Sequence, residues 1–272
     1  MDFVDKALAR RLESAEEMPQ VHHARTYEKK HPEAAPTVEE ICGGHVMFAG
    51  AGSPVGHAAG LGLDRPFTAD DLDRVEVFYR QHGVPSQVDV TPLHEPEVFE
   101  MFKQRGYAIA ELNNVLWRPL AALEDMNAVP EGVTIRRGRP EEAGKFAAIL
   151  ARCFQEYLDP PEGFEQLVAP LYEMPGVITF VAIAGRKPIA VGAGLVIAEH
   201  KVLALFGAGT LPDYRRRGIQ SIFLRERMRA GMDAGCEIAV VVTQGGTISQ
   251  RNCERLGFRV AYSKATLIRN LE

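Results

Sequence analysis

The stretch that decides the fold is Val202-Leu-Ala-Leu-Phe-Gly-Ala-Gly-Thr210, followed by Leu211-Pro-Asp-Tyr-Arg-Arg-Arg-Gly-Ile-Gln220. An apolar strand passes through a basic, glycine-containing turn into a helix predicted over about Arg217 to Ala234. The first N–H groups of a helix have no intrahelical acceptor, and the helix dipole adds positive potential at the same end. Gly218 lets an extended ligand approach the backbone without a Cβ in the way. With Arg215, Arg216 and Arg217 beside it, the turn suits an anion of the pyrophosphate type. Three arginines in a row also fit a solvated basic face.

The rest of the chain narrows the choice. Over 272 residues the net charge is −5 and the other basic residues are scattered, so no nucleic-acid footprint is expected. No Gly-Lys-Ser/Thr closes the turn and the three-glycine dinucleotide fingerprint is missing, which excludes two common phosphate motifs. No apolar run approaches the roughly 18 residues of a membrane span. The N-terminus, with Asp2, Asp5 and Lys6, lacks a signal-peptide pattern. Cys42, Cys153, Cys236 and Cys253 are widely spaced and read as the reduced thiols of a cytoplasmic protein. His22-His23, His31, His45 and His57 show no ligand spacing, and no metal site is expected.

Periodicity and turn residues set out the second half. A strand at Thr134–Arg137 precedes a helix from Pro140 to about Leu158, and a second helix lies near Glu162–Tyr172. Strands at Val177–Ala184, Ile189–Ala198 and 202–209 form a meander. The helix after the basic turn ends at Asp233-Ala-Gly235. Glu237–Thr243 is apolar enough to be buried on both faces. A helix from about Ile248 to Leu256 and strands from Phe258 and Lys264 complete the order.

Two segments together resemble the GNAT N-acetyltransferase superfamily. Its phosphate loop reads Arg/Gln-x-x-Gly-x-Gly/Ala, and Arg215-Arg-Arg-Gly218-Ile-Gln220 matches it except that Gln220 replaces the small last residue. Downstream, Ser249-Gln-Arg-Asn252-Cys-Glu-Arg-Leu-Gly257-Phe258 is similar to the family's helix ending in Leu-Gly-Phe. The resemblance implies an α/β (α+β) fold with a central mixed, mostly antiparallel sheet flanked by helices. It implies acetyl-CoA or a related acyl-CoA as acyl donor. Thr210, Leu211, Arg215, Arg216, Arg217, Gly218, Ile219, Gln220, Ser221 and Asn252 are the expected cofactor-binding residues.

The first half predicts a charged helix to about Lys30 and strands near His45–Ala49 and Ala58–Leu63. A helix at Ala69–His82, a strand at Gln87–Thr91, a helix at Glu95–Arg105 and strands within Tyr107–Arg118 follow. At an offset of about 152 residues, Val88-Asp-Val-Thr91 falls on Val240-Val-Val-Thr243 and His82-Gly83 on Ala234-Gly235. At an offset of about 151, Arg105-Gly-Tyr107 falls on Leu256-Gly-Phe258. Pro66 falls on Gly218, so the first copy has lost the phosphate turn. Two unrelated α/β domains sharing generic turns would look similar. The expected division is a degenerate GNAT-like module at 1–128, a linker within Leu120–Glu131, and a GNAT acetyltransferase domain at 132–272.

In the family's reaction the substrate amine attacks the thioester directly. The oxyanion is usually met by a backbone N–H on the strand before the phosphate loop. Here Gly207-Ala-Gly-Thr210 suits a bulge that frees such groups. Many members place a tyrosine five residues before the Phe of Leu-Gly-Phe, a position that is Cys253 here. Tyr262 is the substitute acid, against the plainer reading of a half-buried strand tyrosine. No carboxylate lies within Val202–Thr210, and no general base is identified. The implied activity is transfer of acetyl to a primary amine of a small molecule. Acetylation of a protein amine, or acyl-CoA binding without turnover as a sensor, stay open, as does homodimerisation.

Overall fold

The computed structural model of this protein describes residues 3–50, 53, 55–121, 129–155 and 162–271. In chain order it contains α1 (Lys6–Glu28), β1 (Thr37–Ile41), β2 (Gly44–Phe48), α2 (Ala69–Gln81), β3 (Ser86–Val90), α3 (Pro96–Gln104) and β4 (Ala108–Pro119). The second half adds β5 (Val133–Arg137), α4 (Ala143–Phe154), α5 (Phe164–Val168), β6 (Val177–Ala184) and β7 (Lys187–Ile197). It ends with β8 (Val202–Thr210), α6 (Ile219–Asp233), β9 (Ile238–Gln244), α7 (Ile248–Glu254) and β10 (Arg259–Arg269). The class is α/β, with a mixed, mostly antiparallel sheet and flanking helices.

Several local readings shift. Pro140 opens a 3-10 turn over Pro140–Glu142, and the α-helix proper starts at Ala143. Its expected end at Leu158 lies outside the described residues, as does most of the linker, 122–128. The strands expected from Phe258 and Lys264 are the single β10, and those within Tyr107–Arg118 are the single β4. Ala58–Leu63 forms only isolated bridges, at Ala58 and Ala59. β1 was not legible, because Thr37-Val-Glu-Glu-Ile41 buries only its last side chain fully and shows no clean alternation.

The chain forms two compact units. Residues 1–116, 242–247 and 260–272 make the first; 117–241 and 248–259 make the second. These are not the consecutive segments 1–128 and 132–272 expected from the sequence. The reason is pairing between distant strands: β10 runs antiparallel to β3, with Ala265 opposite Val90 and Arg269 opposite Ser86. The end of β4 goes the other way, where Leu120 N–H donates to the Glu237 carbonyl at 2.8 Å.

In the first unit, Leu72, Phe78 and Tyr79 of α2 pack with Val88 and Val90 of β3, Phe102 of α3 and Leu267 of β10. Thr68 caps α2 in a capping box with Asp71, and Arg65 forks onto that carboxylate at 2.7 and 2.8 Å. In the second unit the strand order is β5-β6-β7-β8-β9. β5 to β8 are antiparallel, and β9 joins β8 in parallel. Phe146 and Leu150 of α4 pack with Tyr172, Val191, Ala193 and Leu211 to form its core.

The repeat seen in the sequence has a structural counterpart. α2, β3, α3 and β4 recur in the same order as α6, β9, α7 and β10. The turn glycines match as well: Gly83 and Gly235 end the longer helices at φ 67° and 84°, and Gly106 and Gly257 end the shorter ones at φ 75° and 80°. Both pairs occupy the left-handed region, where glycine closes a helix without strain.

Candidate functional site

β8 is bulged. Val191 lies opposite Gly209 and Ala193 opposite Phe206, so Gly207 and Ala208 together face the single residue Gly192. Gly207 takes φ 54°, a conformation that costs other residues energy. A bulge leaves its extra residue out of the ladder. On the other side, β8 pairs with β9 only over Val202–Leu205 and Ile238–Val241. The bulge expected at Gly207-Ala-Gly-Thr210 is therefore present.

From Thr210 the chain leaves the sheet. Leu211 N–H still donates to the Ile189 carbonyl at 2.9 Å, and the Leu211 side chain is buried in the core. Pro212–Tyr214 forms a 3-10 turn. Arg216 and Gly218 then take left-handed φ values of 61° and 78°, and α6 begins at Ile219 with no side-chain cap on its N-terminus. The first-turn N–H groups of Ile219, Gln220 and Ser221 have no carbonyl a turn earlier in the helix. Turns with left-handed residues direct successive N–H groups into anion-binding concavities. A Cβ added at Gly218 would meet no protein atom within 4 Å, so the space in front of the turn is open.

The arginines have distinct tasks. Arg215 folds inward: Nε donates to the Thr210 carbonyl at 3.1 Å and Nη2 to the Cys153 carbonyl at 3.4 Å. It braces the turn against the end of α4. Arg217 is exposed, lies over the Tyr214 ring at 5.2 Å and donates to the Asp213 carbonyl at 3.3 Å. Arg216 is exposed too. Gln220, which replaces the small residue of the family pattern, donates from Nε2 to Thr210 Oγ1 at 2.8 Å. Ile219 is buried beneath the turn, and Ser221 is half-buried on the first turn of α6. Asn252, half-buried on α7, belongs to the same unit, and α7 packs on α6.

Two residues considered for acid chemistry lie in apolar or saturated surroundings. Cys253 is 2 % exposed, and burial pushes its thiol up to about 11. Tyr262 belongs to the first compact unit, not to the unit that carries the phosphate turn. Its hydroxyl donates to Glu13 Oε1 at 2.7 Å, and burial together with the Glu13 carboxylate drives its pKa strongly upward. That placement makes it a partner in an internal network, not an exposed proton donor.

The network was invisible in sequence. Lys264 Nζ lies 3.0 Å from both Glu13 Oε2 and Asp89 Oδ2 and also contacts Glu16. Thr266 donates to Asp89 at 2.7 Å, and His57 Nδ1 stands 3.1 Å from the same carboxylate. Glu16, His57 and Asp89 present ligand-type atoms within 4.8 Å of one another. The Lys264 ammonium lies among these carboxylates. Sequence spacing could not show this, because α1, β3 and β10 meet only in the folded chain.

A family model described as "Acetyltransferase (GNAT) family" matches residues 145–258. The chain is similar to a GCN5-related N-acetyltransferase from Kribbella flavida at 17% identity and a TM-score of 0.64, over 92% of this chain and 96% of that one. It is similar to a tandem GNAT protein from the clavulanic acid biosynthesis pathway at 10% identity and a TM-score of 0.62, over 82% of this chain and 77% of the other. A GCN5-related N-acetyltransferase from Sphaerobacter thermophilus shares 17% identity with a TM-score of 0.54, over 75% and 69% of the two chains. At these identities the likeness is one of fold. No curated protein matches this chain.

Proposed function

We propose that this chain, whose residues 145–258 carry a domain of the GNAT acetyltransferase family, moves an acetyl group from acetyl-CoA directly to a primary amine of a small molecule. The observation that carries this reading is the α6 N-terminus. It has no side-chain cap, it opens on the left-handed Gly218 with free space before it, and it directly follows the bulged strand β8. A pyrophosphate held there by the N–H groups of Ile219, Gln220 and Ser221 would gain from the dipole and from Arg216 and Arg217.

The bulge supplies the second requirement. An N–H of Gly207 or Ala208 outside the ladder is a preorganised donor for charge developing on the thioester oxygen. Holding amine and thioester in one cleft supplies much of the remaining rate. No carboxylate lies on β8, so the amine's proton leaves by another route, with water as the simplest acceptor. With Cys253 buried and its thiol near 11, and Tyr262 tied to Glu13, solvent is also the simplest donor to the departing thiolate. We place the reaction in the cytoplasm, and assign acyl-CoA binding to the second compact unit, 117–241 and 248–259.

Calorimetry with acetyl-CoA on the intact chain and on Gly218→Val tests the reading. Micromolar binding that the variant loses supports it, and a screen of small amines for thiol release then identifies the acceptor. No binding by the intact chain sinks it. The missing tyrosine and carboxylate favour one rival, an acyl-CoA sensor without turnover, for which acetyl-CoA binds and no amine accelerates thiol release.

A further inference from the structure

Arg227 is an unusual core residue. It sits on α6, is 1 % exposed, and its guanidinium meets backbone carbonyls: Ala193 at 2.6 Å, Phe223 at 3.1 Å and Phe206 at 3.4 Å. Burial lowers its pKa to about 10, which still leaves it charged at neutral pH. Burying a charge is costly, and an apolar side chain of similar length would fill the space without that cost. The fold also makes room for it, because a Cβ on Gly192 would meet Arg227 Cζ at 3.2 Å and the Phe223 ring at 3.2 Å. Gly192 is the residue facing the β8 bulge. On the same bulge, the Tyr172 hydroxyl donates to the Gly207 carbonyl at 2.8 Å.

The two carbonyls belong to consecutive peptide groups. The Phe206 carbonyl shares its planar amide with the Gly207 N–H, and the Gly207 carbonyl shares its amide with the Ala208 N–H. A donor placed on the oxygen of an amide polarises it and strengthens the N–H at its far end. Both candidate oxyanion donors are therefore backed by a buried donor on their own peptide group.

We infer that Arg227 and Tyr172 are positioning residues, which fix the bulged peptides of β8 and polarise the Gly207 and Ala208 N–H groups toward the thioester carbonyl of a bound acyl-CoA. This role rests on the acyl-CoA reading above. Neither side chain touches the substrate. Their effect passes through the two peptide groups, so substrate affinity and carbonyl polarisation separate.

The test is infrared difference spectroscopy of acetyl-CoA, 13C-labelled at the thioester carbonyl, bound to the intact chain and to Arg227→Met, Arg227→Lys and Tyr172→Phe. The carbonyl stretch should fall on binding to the wild type. The fall should shrink in Arg227→Met and in Tyr172→Phe and partly return in Arg227→Lys, while the dissociation constant stays within about threefold. Acetyl transfer to an accepted amine should drop roughly tenfold, less than the 10²–10³ lost with an oxyanion donor itself. If Arg227→Met does not fold, Tyr172→Phe, which removes one hydroxyl, decides alone. Binding with an unchanged carbonyl frequency in the folded variants overturns the role and leaves the acyl-CoA reading standing. Absence of binding by the wild type overturns both.

Discussion

Gln220 Nε2 donates to Thr210 Oγ1 at 2.8 Å and closes the turn across ten residues, from the last position of β8 to the first turn of α6. Arg215 crosses the same gap from inside, with Nε on the Thr210 carbonyl. Thr210 thus holds two clasps, one on its hydroxyl and one on its backbone. The residue that departs most from the GNAT loop pattern is a structural fastening, with its amide bonded to Thr210. Gln220→Ala should therefore cost about 1 kcal/mol of stability, the usual net value of one hydrogen bond. Acetyl-CoA affinity should stay nearly unchanged. Urea unfolding together with calorimetry checks both, and a large affinity loss would put Gln220 in the ligand site instead.

Gly218 and Gly235 flank the two ends of α6 in the same backbone region, φ 78° and 84°, and a Cβ at either would meet nothing within 4 Å. An alanine at each should cost about 1–2 kcal/mol from the left-handed backbone alone. Only Gly218→Ala should also weaken acetyl-CoA binding, by tenfold or more on the order-of-magnitude scale of affinity. Gly235→Ala is the control for strain. Equal affinities in the two variants would count against the phosphate assignment.

All four cysteines are buried, and burial pushes the thiols of Cys236 and Cys253 up to about 11. The thiolate is the reactive form, so these side chains should resist alkylation at pH 8. A maleimide titration should show slow modification of the native chain and four rapid equivalents in denaturant. Rapid native labelling of Cys253 would reopen a catalytic part for the residue in the family's tyrosine position.

Much of the site was legible because its information is local. A run of apolar residues ending in Gly207-Ala-Gly209, then three arginines and a glycine, dictates strand, bulge and helix start within twenty residues. The parts that were not legible depend on distant contacts. Nothing local in Leu224-Arg-Glu-Arg-Met228 marks Arg227 as a core residue; it is buried where Gly192, on another strand, leaves space for it. Arg215 reads as a phosphate ligand, but the carbonyl of Cys153 draws it inward. The division of the chain was missed for the same reason: nothing local in Arg259–Arg269 says that this strand pairs with β3. Tyr262 and His57 followed it into the polar interior of the first unit.

That interior gives the chain a pH dependence. His57 faces Asp89, Glu16 and Lys264. Burial alone would lower its pKa, and the Asp89 carboxylate outweighs burial and raises it to about 9. The folded His57 therefore holds its proton more tightly than the unfolded one, whose value is near 6.5. A raised pKa contributes stability that is complete below about 6.5 and fades as pH rises through about 9. The contribution is of order 1–3 kcal/mol, since one pKa unit corresponds to about 1.4 kcal/mol and neighbouring groups share the interaction. Urea midpoints should fall between pH 6.5 and 9.5. His57→Gln, which keeps a polar side chain but cannot titrate, should flatten that slope while lowering stability at pH 6. A slope unchanged by the substitution would assign the pH dependence to another group, of which Glu16, whose pKa burial raises, stands nearest.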